Sequence, residues 1–262
     1  MVAESTSRFN LRTRTIGTGY QVYIVEALML FILLRLIGCH RFDATLFSIL
    51  GAISASAVFW FVVPETYPFG SITFLLALIL VAVSHYRKLS PLWYVLFSSL
   101  TLSITTTNWM VGILATIVNY PWKRSLQITV NAFCLVVVLW AVQKYIFPSV
   151  EFFLGDREEE QYIVMGESEG LLRVIKSLVS HTIVMPAIQV IQGERGWPLM
   201  STQHSLPGSG SLWGAVAVGL WLALFGLGLW GLFSVKKHPK FRTVLGFTLL
   251  GQLALHSVYG NE

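Results

Sequence analysis

Several stretches of this chain run for the length of a membrane-crossing helix with almost no charged residue. They comprise residues 20–38, 44–63, 71–85, 126–147, 212–235 and 243–259. A helix needs about 20 apolar residues to cross the hydrocarbon core of a bilayer. Only 12% of the residues are charged, against about a quarter in soluble domains, so the chain lacks the polar groups to cover a water-facing surface. The sequence therefore predicts an all-α integral membrane protein.

The stretch 92–120 is too long for one span and contains the polar sequence TTTNW, Thr105 to Trp109. This pattern predicts two short helices that meet at a polar elbow, which brings the count to about eight membrane segments. Non-helical backbone survives at membrane depth only where protein or a watery cavity satisfies its hydrogen bonds. Asn108 and Trp109 are therefore candidates to line a pocket, although Asn108 is equally well placed to cap the second short helix.

Lysine and arginine residues cluster in the short connections between these stretches. They are Arg41, Arg87, Lys88, Lys123, Arg124, Lys236, Lys237, Lys240 and Arg242. Short loops that are rich in lysine and arginine stay on the cytoplasmic side of a membrane. With the elbow counted as a reversal, all these loops fall on one side, and the acidic segment 148–211 falls on the other. This pattern predicts a multi-pass protein of the bacterial inner membrane.

The amino-terminal tail, residues 1–19, conflicts with this orientation because it places Arg8, Arg12 and Arg14 on the outer side. Either the first segment lies in the membrane interface, or a span upstream of this chain is missing. The predicted organisation is a single transmembrane domain over 1–262. It contains spans over 20–147, an outer loop over 148–211 and two last spans over 212–262.

Within the outer loop, the sequence EGLLRVIKSLVSHTIVM has apolar residues at three-to-four spacing. Arg173, Lys176 and His181 lie opposite them. This periodicity is typical of an amphipathic helix. We therefore expect a helix that lies in the plane of the membrane, with its apolar face in the lipid interface.

The remaining composition excludes several classes of partner. The basic residues form short clusters and no continuous basic face, which excludes nucleic acid. Cys39 and Cys134 lie in or beside apolar runs without the spacing of metal ligands, which favours buried small side chains over a disulfide or a metal site. No cofactor is predicted, and nothing in the sequence supports a divalent metal. The lipid bilayer is the expected partner.

The features between Gln21 and Tyr120 follow one another in a recognisable order. The first span ends in the basic sequence LLRLIG, and the next span is rich in small residues and ends in aromatic residues. An outer turn, VVPETYPFGS, follows, and the later hairpin LSITTTNWMVGILATIVNYP precedes a basic loop. This order resembles the middle spans of the GT-C glycosyltransferase superfamily, polytopic enzymes that use polyprenyl-phosphate sugars. The resemblance implies binding of a lipid-linked sugar at the outer face and, if catalysis is retained, hexosyl transfer.

The resemblance also implies what this chain lacks. Members of the superfamily begin with a span and a large outer loop that carries an acidic residue near the catalytic centre. Here Gln21 is preceded by twenty residues whose one acid is Glu4. We therefore expect a relative without the first span and the catalytic loop.

Acidic and polar residues near the outer side are the candidates for chemistry. Glu65 is the candidate general base on the acceptor hydroxyl, although it also fits a plain turn between Pro64 and Pro68. Glu26 lies inside an apolar span or near its outer interface, and a carboxylate inside a span is costly unless paired. The residues predicted to contact the substrate are Tyr67, Asn108, Trp109 and Glu26.

Two other functions remain open. A transporter would use Glu26, Glu65 and the broken helix at Asn108 as an ion or solute path near the bilayer midplane. A scaffold subunit would pack with a partner helix through small residues that recur every four positions. These residues are Ala215, Gly219 and Ala223.

Overall fold

The computed structural model describes residues 21–62, 67–149, 170–183, 189–192, 198–201, 212–234 and 236–258. Over these ranges the chain is helical apart from one pair of short strands. The helices are α1 (21–36), α2 (Arg41–Ala52), α3 (Ala55–Val62), α4 (Tyr67–Ser84), α5 (Pro91–Ile104), α6 (Trp109–Ile117), α7 (Trp122–Ile146), α8 (Gly170–His181), α9 (Leu212–Ser234) and α10 (Pro239–Val258). The helical class predicted from the sequence is confirmed for the described residues.

A short pair of strands is an addition to the predicted all-α fold. Strand β1 (Gln189–Gln192) pairs antiparallel with β2 (Pro198–Ser201), and Gln189 lies opposite Ser201. Both strands belong to the segment 148–211, which the sequence predicted as an outer loop with one helix. The alternation in the short run QVIQ is too brief to separate a strand from a loop by periodicity.

The chain breaks at TTTNW, as predicted. Helix α5 ends at Ile104, Thr105 has an extended backbone (φ −149°, ψ 123°), and one 3₁₀ turn over Thr106–Asn108 leads into α6. Consecutive threonines favour this break because β-branched side chains are stiff and lower helix propensity. The extended residue reverses the chain, so α5 and α6 pack against each other. The predicted pair of short helices with a polar elbow is confirmed.

The predicted span 44–63 is wrong as a single helix. Helix α2 ends at Ala52 and α3 begins at Ala55. The Ser54 hydroxyl oxygen accepts a hydrogen bond from the Ala57 N–H (3.3 Å), which is the interaction of a residue that caps a helix start. A serine that satisfies the first turn of a new helix competes with continuation of the old one, and hydropathy alone does not detect this competition.

The length of the helices limits how many of them can cross a bilayer unaided. Within the described ranges, α7 and α9 are long and apolar enough, with 25 and 23 residues, and α4 and α5 are apolar but shorter. A helix of 14 residues, such as α5, extends about 21 Å, against ~30 Å for the hydrocarbon core. The predicted count of about eight membrane segments is therefore not supported. Two such helices indicate membrane association by length and composition only.

The elements form two compact units. Unit 1 contains α1, α2, α4 to α7 and α10 as far as Gln252, and unit 2 contains α8, the strand pair, α9 and the end of α10. Helix α3 begins in unit 2, and its residues from Phe59 onward belong to unit 1. The single domain over 1–262 stays a prediction.

The core of unit 1 lies among α1, α4, α6 and α10. Its buried apolar side chains are Leu33, Leu75, Ala77, Leu78, Val81, Ala82, Val111, Ala115 and Val244. Beside this core, α5 and α6 approach closely at Gly112. A Cβ atom at Gly112 would lie 2.7 Å from Thr101 Oγ1 and 2.9 Å from Ser98 Cα. The two halves of the hairpin are therefore held together by a contact in which only glycine fits.

In unit 2, α8 is held by hydrogen bonds to α9 and to the start of α3. The Trp221 indole N–H donates to the Leu178 carbonyl oxygen (3.1 Å), and the Ser56 backbone N–H donates to the Thr182 carbonyl oxygen (3.2 Å). On α8, Leu172 and Ile175 are 67% and 40% exposed. The predicted helix is thus present with exposed apolar side chains, and its place in the membrane plane stays a prediction.

Large apolar side chains are exposed on the two long helices. On α7, Val138 and Leu139 are 58% and 53% exposed, and on α9, Leu220 and Trp230 are 63% and 68% exposed. Continuous apolar surface is rare on soluble monomers and marks contact with lipid or with another protein. These faces therefore require an apolar surrounding.

The small-residue stripe of α9 is part of this exposed surface. Ala215, Gly219 and Ala223 are exposed, and a Cβ atom at Gly219 would meet nothing within 4 Å. Within the part of the chain that the structure describes, no helix packs on this stripe. Its predicted role as a face for a partner helix stays a prediction.

Candidate functional site

The polar residues of the elbow meet the start of α4. Asn108 Nδ2 donates to the Gly70 carbonyl oxygen (3.0 Å), which also accepts the Thr73 hydroxyl (2.8 Å). A Cβ atom at Gly70 would lie 3.1 Å from Asn108 Nδ2 and 3.2 Å from Thr105 Oγ1. A larger residue at position 70 would therefore push the elbow away from α4.

Asn108 also connects the elbow to α10. Gln252 Nε2 donates to Asn108 Oδ1 at 3.4 Å, so one amide group bonds in two directions. Both residues are half-buried, and a half-buried amide is costly when it lacks partners in a poorly solvated setting. These two bonds therefore hold the elbow between α4 and α10.

Glu26 of α1 lies beside the same part of α4. The Ser71 hydroxyl donates to the Pro68 carbonyl oxygen (2.9 Å), and its side chain lies within hydrogen-bonding reach of the Glu26 carboxyl group. Because Ser71 follows Gly70 directly, the carboxyl group of α1 and the amide of the elbow both bond to the first turns of α4. We call Glu26, Gly70, Ser71, Asn108 and Gln252 the polar cluster.

The polar cluster is remote from the basic connections. Glu26 lies ten residues before the end of α1, and Asn108 nine residues before the end of α6, which places each about 15 Å along its helix from that end. Gln252 lies thirteen residues into α10, or about 20 Å. These distances place the polar cluster well away from the basic connections within unit 1.

Trp109 connects the helices around the elbow. Its indole N–H donates to Ser98 Oγ (3.0 Å), and its ring stacks on Phe133 with centroids 5.9 Å apart. The first contact joins α6 to α5, and the second joins α6 to α7. These contacts give Trp109 a packing role, and its predicted contact with a substrate stays a prediction.

The structure gathers some of the predicted site residues and leaves others outside its description. Glu26, Asn108 and Trp109 lie around the start of α4, and Tyr67 is the first residue of that helix, with its side chain outside the described part. Glu65 lies outside the described residues. The role of these residues in a functional site stays a prediction.

Sequence reasoning missed Gly70, Ser71 and Gln252. Gln252 carried a usable signal, since an uncharged amide inside the apolar stretch 243–259 is costly unless it finds a partner. Ser71 and Gly70 carried none, because a serine and a glycine at the start of a helix are ordinary.

The described residues offer no metal centre. They contain no group of three or more His, Cys, Asp or Glu side chains that could hold an ion.

Cys39 is half-buried and Cys134 is exposed, and both are free thiols. The prediction that both cysteines are buried is therefore wrong for Cys134, which lies on an outward face of α7. Burial, and then the nearby Asp43 carboxylate, raise the pKa of the Cys39 thiol, which makes it a weak nucleophile at neutral pH.

The basic connections of unit 1 meet at its other end, which we call the basic end. The Tyr86 hydroxyl, after α4, donates to the Leu36 carbonyl oxygen at the end of α1 (2.6 Å). Lys240 Nζ, at the start of α10, donates to Asn119 Oδ1 after α6 (2.8 Å). These connections therefore share one end of unit 1, and their placement on one side of a membrane stays a prediction.

His238 attaches the start of α10 to the basic end. Its ring centroid lies 4.4 Å from that of His85. Its Nδ1 is buried without a hydrogen-bond partner among the described atoms, and the ring bonds to the Ile37 backbone. Burial, followed by His85 and Lys237, lowers the pKa of His238.

We expect acidification to weaken this attachment. The pKa of His238 is lower in the folded protein than in the unfolded chain, so the unfolded chain takes up a proton first and stability falls as the pH drops below about 6.5. Thermal unfolding measured between about pH 8 and pH 5 will show this loss. His238→Asn keeps a donor and tolerates the positive φ of 52° at this position, and we expect a flatter pH dependence. Equal pH dependence in both proteins would contradict the assignment to His238.

Comparison with known proteins identifies no relative. No protein-family model matches the chain, and neither a curated protein nor a solved structure matches it. The likeness to GT-C glycosyltransferases therefore rests on the order of features in the sequence.

Proposed function

We propose that the protein binds the polar head of a lipid-linked sugar, of the polyprenyl-phosphate class, at the polar cluster of unit 1. One observation carries the proposal: a carboxyl group, a hydroxyl and two amides converge from α1, α4, the elbow and α10 among helices that are otherwise apolar. Sugar hydroxyls both donate and accept hydrogen bonds, and these side chains offer both functions. The exposed apolar faces of the helices suit the lipid tail.

Glu26 is the member of the cluster with the most capacity for a ligand. A carboxylate has about four acceptor sites, and the one partner among the described side chains is Ser71. Asn108, in contrast, already uses one amide N–H and one acceptor site of its oxygen within the fold. Glu26 would therefore accept hydrogen bonds from sugar hydroxyls, while Asn108 and Gln252 hold the elbow in place. If hexosyl transfer follows, Glu65 is the proposed base.

Binding to full-length protein in bicelles tests this proposal. We expect a polyprenyl-phosphate hexose to bind more tightly than polyprenyl phosphate alone. Glu26→Gln is expected to weaken binding of the hexose by roughly tenfold, because the amide replaces one carboxyl oxygen with a donor group, and an unmade hydrogen bond in a poorly solvated site costs about 1–3 kcal/mol.

The matched control is Asp43→Asn, which makes the same type of change on α2. We expect Asp43→Asn to bind the hexose like the wild type. Equal affinity of wild type and Glu26→Gln would remove Glu26 from the site, and equal affinity for the two lipids would contradict sugar recognition.

The depth of the elbow favours a transport path as a second candidate. The hairpin of α5 and α6 begins and ends at the basic end and reverses about 15–20 Å away. Broken helices within a membrane line ion or solute paths in transporters. Glu26 lies at a comparable distance along α1. In liposomes, proton-driven flux that Glu26→Gln abolishes, without binding of the lipid-linked sugar, would establish this candidate in place of the first.

A further inference from the structure

At the basic end, the connection before α5 and the connection before α7 are held side by side. The Tyr120 hydroxyl donates to the Leu89 carbonyl oxygen (2.7 Å), and the Tyr120 ring meets the buried Tyr94 ring edge to face at 5.1 Å. Helices α5 and α7 also pack against each other. The first turns of these two helices therefore form one continuous surface.

This surface is strongly basic. Its exposed cations are Arg87, Lys88, Lys123 and Arg124. Arg124 is partly positioned by a hydrogen bond from its guanidinium group to Gln127 Oε1 (2.5 Å). Among the described residues of unit 1 the acids are Glu26, in the remote polar cluster, and Asp43 in α2. The two connections that carry these four cations therefore contain no acidic residue that would neutralise them.

Large apolar side chains border the cations directly. Trp93 and Leu92 follow Lys88 in the chain and are 50% and 63% exposed. Trp122 precedes Lys123 and is 68% exposed, and Leu126 is 51% exposed. Indole rings beside lysine and arginine are typical of the boundary between lipid head groups and acyl chains. A soluble polyanion would contact only the cations of this surface. A phospholipid has an anionic head group for the cations and acyl chains for the apolar side chains.

We propose that this surface, the lipid corner formed by Arg87, Lys88, Trp93, Trp122, Lys123 and Arg124, binds an anionic phospholipid of the cytoplasmic leaflet. The four cations surround the phosphate-bearing head group, and the two indoles lie against the upper part of the acyl chains. Basic sites between helices on the cytoplasmic side bind acidic lipid head groups in this way. The inference goes beyond the proposed function, because the lipid corner lies at the opposite end of unit 1 from the polar cluster.

Quenching of tryptophan fluorescence by brominated lipid tests the inference. Full-length protein is placed in micelles of a zwitterionic lipid and titrated with phosphatidylglycerol brominated near the head group, and in parallel with phosphatidylcholine brominated at the same carbons. We expect stronger quenching by the anionic lipid. The double variant Trp93→Phe/Trp122→Phe is expected to lose that difference, since bromine quenches indoles that it contacts.

Charge variants assign the selectivity to the cations. Each cation near an anionic membrane surface changes affinity about fivefold, so Lys123→Gln is expected to lower the relative affinity for the anionic lipid by about that factor. The matched control is Lys144→Gln in the last turn of the same helix, about 30 Å away, which is expected to leave the affinity unchanged. An unchanged unfolding temperature shows that Lys123→Gln is folded.

Three outcomes would overturn the inference. They are equal quenching by both lipids, equal effects of Lys123→Gln and Lys144→Gln, and displacement of the anionic lipid by a soluble polyglutamate peptide at low concentration. The last result would assign the corner to an acidic protein partner. None of them affects the binding of a lipid-linked sugar measured through Glu26, so the two proposals fail separately.

Discussion

Gly112→Ala is expected to destabilise the protein by separating α5 from α6. The added methyl group would lie 2.9 Å from the Ser98 Cα and 2.7 Å from Thr101 Oγ1. A backbone atom cannot rotate out of the way, so one helix must move. Overpacking of this kind typically lowers the free energy of unfolding by ~1–3 kcal/mol. The better helix propensity of alanine offsets up to about 1 kcal/mol of this loss. Thermal unfolding in detergent, followed by tryptophan fluorescence, measures the effect.

Two other glycines supply controls for this experiment. At Gly226 on α9, a Cβ atom would meet nothing within 4 Å, so Gly226→Ala is expected to be neutral or to stabilise by up to about 1 kcal/mol. At Gly251, the added atom would meet the flexible side chain of Met110, which can change rotamer, and the cost is expected to be smaller than at Gly112. Equal unfolding temperatures for Gly112→Ala and Gly226→Ala would contradict the close approach of α5 and α6.

Asn108→Ala is expected to release the elbow from α4 and α10. The substitution removes the bond to the Gly70 carbonyl oxygen (3.0 Å) and leaves the Gln252 amide without its acceptor. Loss of a partner from a half-buried polar group costs about 1–3 kcal/mol. Gln252→Ala is expected to cost less than Asn108→Ala, because it removes only the longer bond of 3.4 Å.

A double-mutant cycle of these two positions measures their coupling. We expect a coupling energy of about 0.5–1 kcal/mol, which is the lower part of the range for residues in contact. The exposed Asn131 on α7 is the control, and Asn131→Ala is expected to change stability by less than about 0.5 kcal/mol. Additive effects of Asn108→Ala and Gln252→Ala would contradict the contact between the elbow and α10.

Local patterns in the sequence predicted most of the helices. The elbow at Thr105 to Asn108 was predictable because a run of β-branched and polar residues interrupts an apolar stretch, and both effects act within a few residues. The split between α2 and α3 was missed because it depends on one capping bond from Ser54. The predicted number of spans is not supported by the described helices, because apolar composition shows that a helix is buried or faces lipid, and says little about whether it is long enough to cross a bilayer.

The order of the residues was enough to predict that the chain is helical, that a polar break interrupts one apolar stretch, and that the cations lie in the connections. These properties follow from composition and from spacing along the chain. The folded arrangement of the helices, in contrast, is needed to see that Gln252 bonds to Asn108, 144 positions away, and that Asn108 bonds to Gly70, 38 positions away. Such pairs depend on how the helices pack, and packing depends on shape complementarity between side chains. The periodicity of apolar residues along the chain does not predict that complementarity.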